Sequence, residues 1–359
     1  MLKNLFTSNF NRSDFFKILK KGSLLAGLIY IPFALALTYF PSSILNNNYG
    51  FSRFQKKMTG PSSKKRSFDH IFFGSSLPMT NIRAHELDST LVLGGNLMTI
   101  IPNYYMFKRY LKNNPAPKTI YVSPQLGFVK EKDYWEALKL NYMSYEDVLD
   151  VMKTSLRVKD WPSLEKNVLT YFFKAFSIHY KLIHSYLPEL KSGLFDPRAD
   201  RQEVVRKTLD RYNGYVNYRE INRVLRIRKL SLKRKALRVR EKNSEQIFEK
   251  KGKVKLPLIH EHYAKRMAEL ASKNNIRLVY LLYPVSPLRS RQLPKEVKTD
   301  FKNYYTSLMK GYKNVHVWIY KDHYGRDKFV DASHLNAKGS IFFKKEVKNL
   351  YREVEKKFN

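Results

Sequence analysis

Three side chains in this sequence could together activate a hydroxyl group. Asp331 and His334 stand three residues apart in Phe329-Val330-Asp331-Ala332-Ser333-His334-Leu335-Asn336-Ala337-Lys338-Gly339. A turn at that spacing presents both side chains at one edge of a sheet, where a carboxylate can orient an imidazole as a general base. The base needs a nucleophile, and Ser76 offers one. The run Asp69-His70-Ile71-Phe72-Phe73 reads as a buried strand and leads straight into Gly74-Ser75-Ser76. A serine hydroxyl is a weak nucleophile until a neighbouring imidazole takes its proton. Each residue also has a structural role open to it. Ser76 could cap a helix, Asp331 and Ser333 could cap the last helix, and His334 could be a satisfied structural histidine.

The elements around these residues alternate. Strand patterns cover 69–73, 89–93, 119–123, 277–283 and 315–320, and helical spacing covers 102–113 and 259–274. Short β-rich runs alternating with helices predict an α/β fold, a doubly wound parallel sheet with helices on both faces. Ligands bind beyond the carboxyl ends of such strands. Gly74-Ser75-Ser76, Gly94-Gly95-Asn96, Ser123-Pro124-Gln125 and Pro284-Val285-Ser286 all fall at predicted strand ends.

The two outer segments resemble the SGNH (GDSL-like) hydrolase and acyltransferase superfamily. Gly74-Ser75-Ser76 is similar to its first block and Asp331-x-x-His334-Leu335-Asn336-x-x-Gly339 to its last. The resemblance covers roughly 67–135 and 256–358. It implies a flavodoxin-like three-layer fold with Ser76 as nucleophile, His334 as base and Asp331 as its orienting carboxylate. It implies oxyanion donors from the Ser76 backbone, from Gly94 or Gly95, and from an amide, Gln125 or Asn96. The sequence departs from the family pattern where Ser75 replaces the Asp of Gly-Asp-Ser. It departs again where Ser123-Pro124-Gln125 stands in place of a Gly-x-Asn turn. The resemblance further implies an esterase or O-acyltransferase acting on a cell-envelope glycan or lipid. Its anchored members, those of teichoic-acid D-alanylation and alginate acetylation, pair with a multispanning acyl-transfer partner. The other reading of this chain is a non-catalytic anchored binding or scaffold protein that keeps the fold.

Gly22 to Phe40 is an uncharged run long enough, at about 1.5 Å per residue, to match a bilayer core. No small-x-small cleavage site follows it, so an uncleaved signal anchor is expected. The predicted order is a cytoplasmic segment at 1–21, a transmembrane anchor at 22–40, a linker at 41–67 and the α/β domain at 68–358. Lys3, Arg12, Lys17, Lys20 and Lys21 precede the run and favour an inside N-terminus. That orientation places the domain on the periplasmic or extracytoplasmic side of the inner membrane.

A net charge of +36 implies anionic company. The alternation stops between about 136 and 255, where a helical insertion is expected. Arg219 to Lys242 is its densest basic stretch and would suit anionic lipid or a phosphate-bearing polymer. No aromatic residue is interleaved there, which argues against a nucleic-acid stacking platform. The chain has no cysteine, so disulfides and thiol chemistry are excluded. His70, His85, His260, His262 and His323 lack metal-ligand spacing, so no metal is expected, and no glycine-rich phosphate loop implies a cofactor.

Overall fold

A computed structural model describes residues 12–39, 49–61, 66–95, 98–123, 142–160, 168–182, 198–217, 254–293, 295–320, 324–331 and 333–359. The core is a five-stranded, all-parallel sheet of β1 (His70–Gly74), β2 (Thr90–Gly94), β3 (Thr119–Val122), β4 (Arg277–Leu282) and β5 (Val315–Ile319). The spatial order is β2-β1-β3-β4-β5. β1 and β3 are neighbours, but the chain leaves them towards opposite edges. That divergence opens a crevice beyond their carboxyl ends.

Burial explains the strands. β2, β3 and most of β1 are apolar and inaccessible, as expected of parallel strands covered on both faces. Successive side chains point to opposite faces. Phe72 stacks on Tyr121 at 4.3 Å and approaches Tyr351 of the C-terminal helix, while Phe73 meets Phe107 edge-on at 5.7 Å. Phe107 lies on α4 (Ile100–Asn113), and Tyr351 on α11 (Ala337–Phe358). Adjacent residues of β1 therefore hold two helices on opposite sides of the sheet. α8 (Leu258–Lys273) packs on α4 and β4; after the short α9 (Pro287–Gln292), α10 (Val297–Leu308) covers β4 and β5.

Within the expected linker at 41–67, one stretch is folded into the domain. Tyr49–Thr59 forms helix α2, with Phe51, Phe54 and Met58 buried. These residues follow i, i+3, i+7 spacing, and Lys56 and Lys57 sit in the last turn, where cations suit the helix dipole. A composition rich in Ser, Asn, Gly and Lys concealed that stripe. α2 packs against α4 and α7 (Arg198–Arg211). The predicted insertion contains α5 (Tyr145–Arg157), α6 (Val168–His179) and α7. α5 opens with a capping box between Ser144 and Asp147. The basic stretch 219–242 lies outside the described residues.

At the N-terminal side, α1 (Arg12–Tyr39) contains one candidate span, Phe16–Ala36, long and apolar enough to cross a membrane. The span starts earlier than the uncharged run and takes in Lys17, Lys20 and Lys21. Long cationic side chains near a span's end can reach back to the interface.

Candidate active site

β1 delivers the nucleophile candidate. It ends at Gly74, and Ser76 begins the short helix α3 (Ser76–Asn81). A Cβ on Gly74 would sit 2.9 Å from Pro78 Cγ, so glycine lets α3 fold back directly over the strand end. Ser75 precedes α3 and is buried, and its side chain makes no capping bond. Ser76 is half-buried just beyond the carboxyl end of β1.

The other half of the site comes from the loop before α11. Val330 N–H donates to the His334 carbonyl at 2.9 Å, and Asn336 N–H donates to the Lys328 carbonyl at 2.9 Å. Phe329 and Leu335 form an antiparallel bridge between them. The Asn336 side chain caps α11 by accepting the Gly339 N–H at 2.9 Å. Gly339 is required because any Cβ there would run into the Lys328 carbonyl. The Leu-Asn-x-x-Gly extension is thus the scaffold of the loop.

Within that loop Asp331 is held from several sides. Its Oδ1 accepts the backbone N–H groups of Ser333 at 2.9 Å and His334 at 2.8 Å. His334 Nδ1 lies 2.8 Å from Oδ2 and 2.9 Å from Oδ1. Burial alone would raise the Asp331 carboxyl, but the His334 ring and the two backbone donors outweigh it and hold the group below its ordinary value. An ionised carboxylate only accepts, so it assigns the imidazole proton to Nδ1. Nε2 then carries the lone pair, and it lies 2.7 Å from Ser76 Oγ. Ser76, more than 250 residues upstream of the other two, forms one continuous hydrogen-bonded line with His334 and Asp331. Such a line can draw a proton from the hydroxyl.

The oxyanion candidates divide. Gly94 is opposite Gly74 in the parallel register, and a Cβ there would sit 2.7 Å from the Ser75 carbonyl and from Met79 Cγ. Its bareness allows β2 to close against the Gly74-Ser75-Ser76 turn. Gly95 N–H donates to the Gly74 carbonyl at 3.1 Å and is engaged there in this structure. Asn96 and Gln125 lie outside the described residues.

Two positioning residues escape a reading of motifs. Asn81 is fully buried at the end of α3, and its Oδ1 accepts the Leu335 N–H at 3.1 Å. It ties α3 to the residue after His334. Gln55 on α2 donates from Nε2 to the Gly94 carbonyl. Both depend on chain segments far apart in sequence, so no local pattern announces them.

The remaining histidines have other surroundings. His70 stacks on Tyr351 at 3.8 Å, and burial lowers it to about 4. Burial likewise lowers His260 to about 4. His262 Nε2 faces Arg157 at 3.2 Å, and His85 stands beside Glu86. His323 is outside the described residues. Among the described residues no group of three or more His, Asp or Glu could hold a metal ion. No family model and no curated protein matches the chain.

Proposed function

We propose that this protein is a membrane-anchored serine esterase or O-acyltransferase of SGNH type. Its acyl-accepting residue is Ser76. The observation that carries the reading is the 2.7 Å approach of Ser76 Oγ to His334 Nε2, with Asp331 on the other ring nitrogen. In the first step Ser76 Oγ attacks an ester carbonyl while His334 Nε2 takes its proton. The tetrahedral adduct collapses, His334 returns that proton to the leaving alkoxide, and an acyl-serine remains. In the second step water or an acceptor hydroxyl loses its proton to His334 and attacks the acyl-serine. Its collapse regenerates Ser76. Water gives hydrolysis, and a glycan or lipid hydroxyl gives transfer.

The strand order β2-β1-β3-β4-β5 and the location of Ser76 at the β1/β3 divergence support the same fold assignment. The span in α1 supports attachment to the inner membrane, and the lysines before Gly22 support a domain on the extracytoplasmic side. An envelope glycan or lipid is the substrate class in this reading. A multispanning acyl-transfer protein is a partner, and Arg219 to Lys242 is the contact for anionic lipid or polymer.

The test is covalent labelling of the detergent-solubilised protein with a serine-directed fluorophosphonate. Labelling confined to Ser76 is expected. A wild-type protein that neither reacts nor turns over any ester would leave the anchored scaffold as the better account.

A further inference from the structure

α6 is apolar on two faces at once. Tyr171, Ala175 and Ile178 are buried against the domain, and the Tyr171 hydroxyl donates to the Val148 carbonyl of α5 at 3.1 Å. On the opposite face Leu169 is 82% exposed and Phe172 46%, followed by Phe176 and Tyr180, also exposed. Leu169, Phe172, Phe176 and Tyr180 follow i, i+3, i+7, i+11 spacing and make one stripe, with the Phe176 and Tyr180 rings 4.5 Å apart. Lys174 is the only lysine, arginine or acid between Val168 and Tyr180. A water-facing helix carries polar residues on this side. One that is apolar all round belongs inside protein or lipid.

The Tyr30 hydroxyl of α1 donates to the Tyr180 carbonyl at 2.6 Å. Phe33 and Ala36 of α1 pack against the domain core. The exposed stripe therefore adjoins the exposed apolar surface of the candidate span, where Leu24, Leu25, Leu28, Ile29 and Ile31 also face outward. Tyr30 stands six residues before Ala36, the last residue of the span. At 1.5 Å per residue that is about 9 Å inside its distal end. Helices lying in a membrane interface bury their apolar face to about 5–10 Å. Tyr180 is a ring type enriched in this layer, and Phe and Leu are residues that interfacial helices bury on their apolar face.

We propose that α6 is an interfacial helix, with the Leu169–Phe172–Phe176–Tyr180 stripe immersed in the acyl–headgroup boundary of the bilayer that α1 crosses. The partner is the lipid itself. The domain is then held by two elements, a spanning helix and a helix lying in the surface, which fixes its height and tilt over the membrane. This inference rests on the reading of α1 as a transmembrane anchor.

The absence of native cysteine makes a direct test simple. Leu169→Cys, Phe172→Cys, Leu28→Cys and Thr306→Cys would each be introduced alone into the full chain and labelled with a nitrobenzoxadiazole probe. Each would be reconstituted, without any other protein, into vesicles of phosphatidylethanolamine and phosphatidylglycerol. Thr306 is exposed on α10 and reports water. Lipids carrying a nitroxide on the acyl chain should quench the probes at 169 and 172 as strongly as at 28, and leave the weak, red-shifted emission at 306 unchanged. Quenching at 28 with weak, red-shifted and unquenched emission at 169 and 172 overturns the proposal while the anchor stands. It would assign the stripe to a protein partner instead. An unquenched, water-like probe at 28 overturns the anchor, and the interfacial helix with it.

Discussion

The Asn81 side chain accepts the backbone N–H of Leu335, the residue after His334. One buried hydrogen bond thus joins the helix begun by Ser76 to the loop that carries His334. Asn81→Ala would leave that N–H without its partner in the interior. The expected cost is about 1–3 kcal/mol, read as a lower denaturant midpoint in detergent-solubilised protein. Labelling of Ser76 should also slow, because the Ser76–His334 distance is no longer fixed. An unchanged midpoint together with an unchanged labelling rate would show that the contact positions nothing.

Ser75 and Ser76 are neighbours with different surroundings. Ser76 Oγ meets His334, whereas Ser75 is buried and its side chain makes no capping bond. Ser76→Ala should abolish fluorophosphonate labelling and lower kcat by a factor on the order of 10⁶, with the melting temperature nearly unchanged. Ser75→Ala should retain labelling. Labelling that persists in Ser76→Ala would remove Ser76 from the chemistry.

Asp331 has two tasks that a conservative substitution separates. Its oxygens accept two backbone N–H groups and also the His334 Nδ1–H. Asn keeps an acceptor for the loop but carries no charge, and its amide nitrogen can turn the imidazole to the wrong tautomer. Asp331→Asn should fold normally and lose about 10⁴ in kcat. Asp331→Ala should lose the loop bonds as well and melt lower. Wild-type turnover in Asp331→Asn would mean that His334 acts without a carboxylate partner.

Much of this arrangement was legible in the chain because its information is local. Strand runs such as Ile71-Phe72-Phe73 and Leu91-Val92-Leu93 are apolar without interruption, and parallel strands buried on both faces require that. Asp331 and His334 are three residues apart, so one loop suffices to join them. What was not legible depends on distant segments. α2 was hidden by its polar composition, although its partners on α4 and α7 bury its apolar stripe. Asn81 and Gln55 are unremarkable until Leu335 and Gly94 arrive beside them. Gly95, a candidate donor by position, is engaged by the Gly74 carbonyl, a pairing set by the register of β1 and β2.

The last prediction concerns acid. Glu86 lies in the turn after α3. Its Oε1 accepts from Arg83 Nε at 2.7 Å, and its Oε2 accepts from Lys344 Nζ of α11 at 2.6 Å. The Arg83 hydrogen bond first, and then Lys344, lower its carboxyl from 4.5 to about 2 against the opposing effect of burial. A carboxyl depressed in the folded state stabilises it fully above the ordinary value near 4.5. That contribution fades as pH falls towards about 2. Glu86→Gln should therefore melt below wild type at neutral pH, and the gap should close as the pH is lowered through this window. Asp331, also held low, leaves a residual acid dependence in both proteins. Because Glu86 is partly exposed, salt should shrink the neutral-pH gap as well. Thermal melts of the full chain in detergent at several pH values would read this directly. A gap of constant size from neutral pH to the acid limit would show that the Arg83–Glu86–Lys344 cluster does not fasten α11 to the turn that follows Ser76's helix.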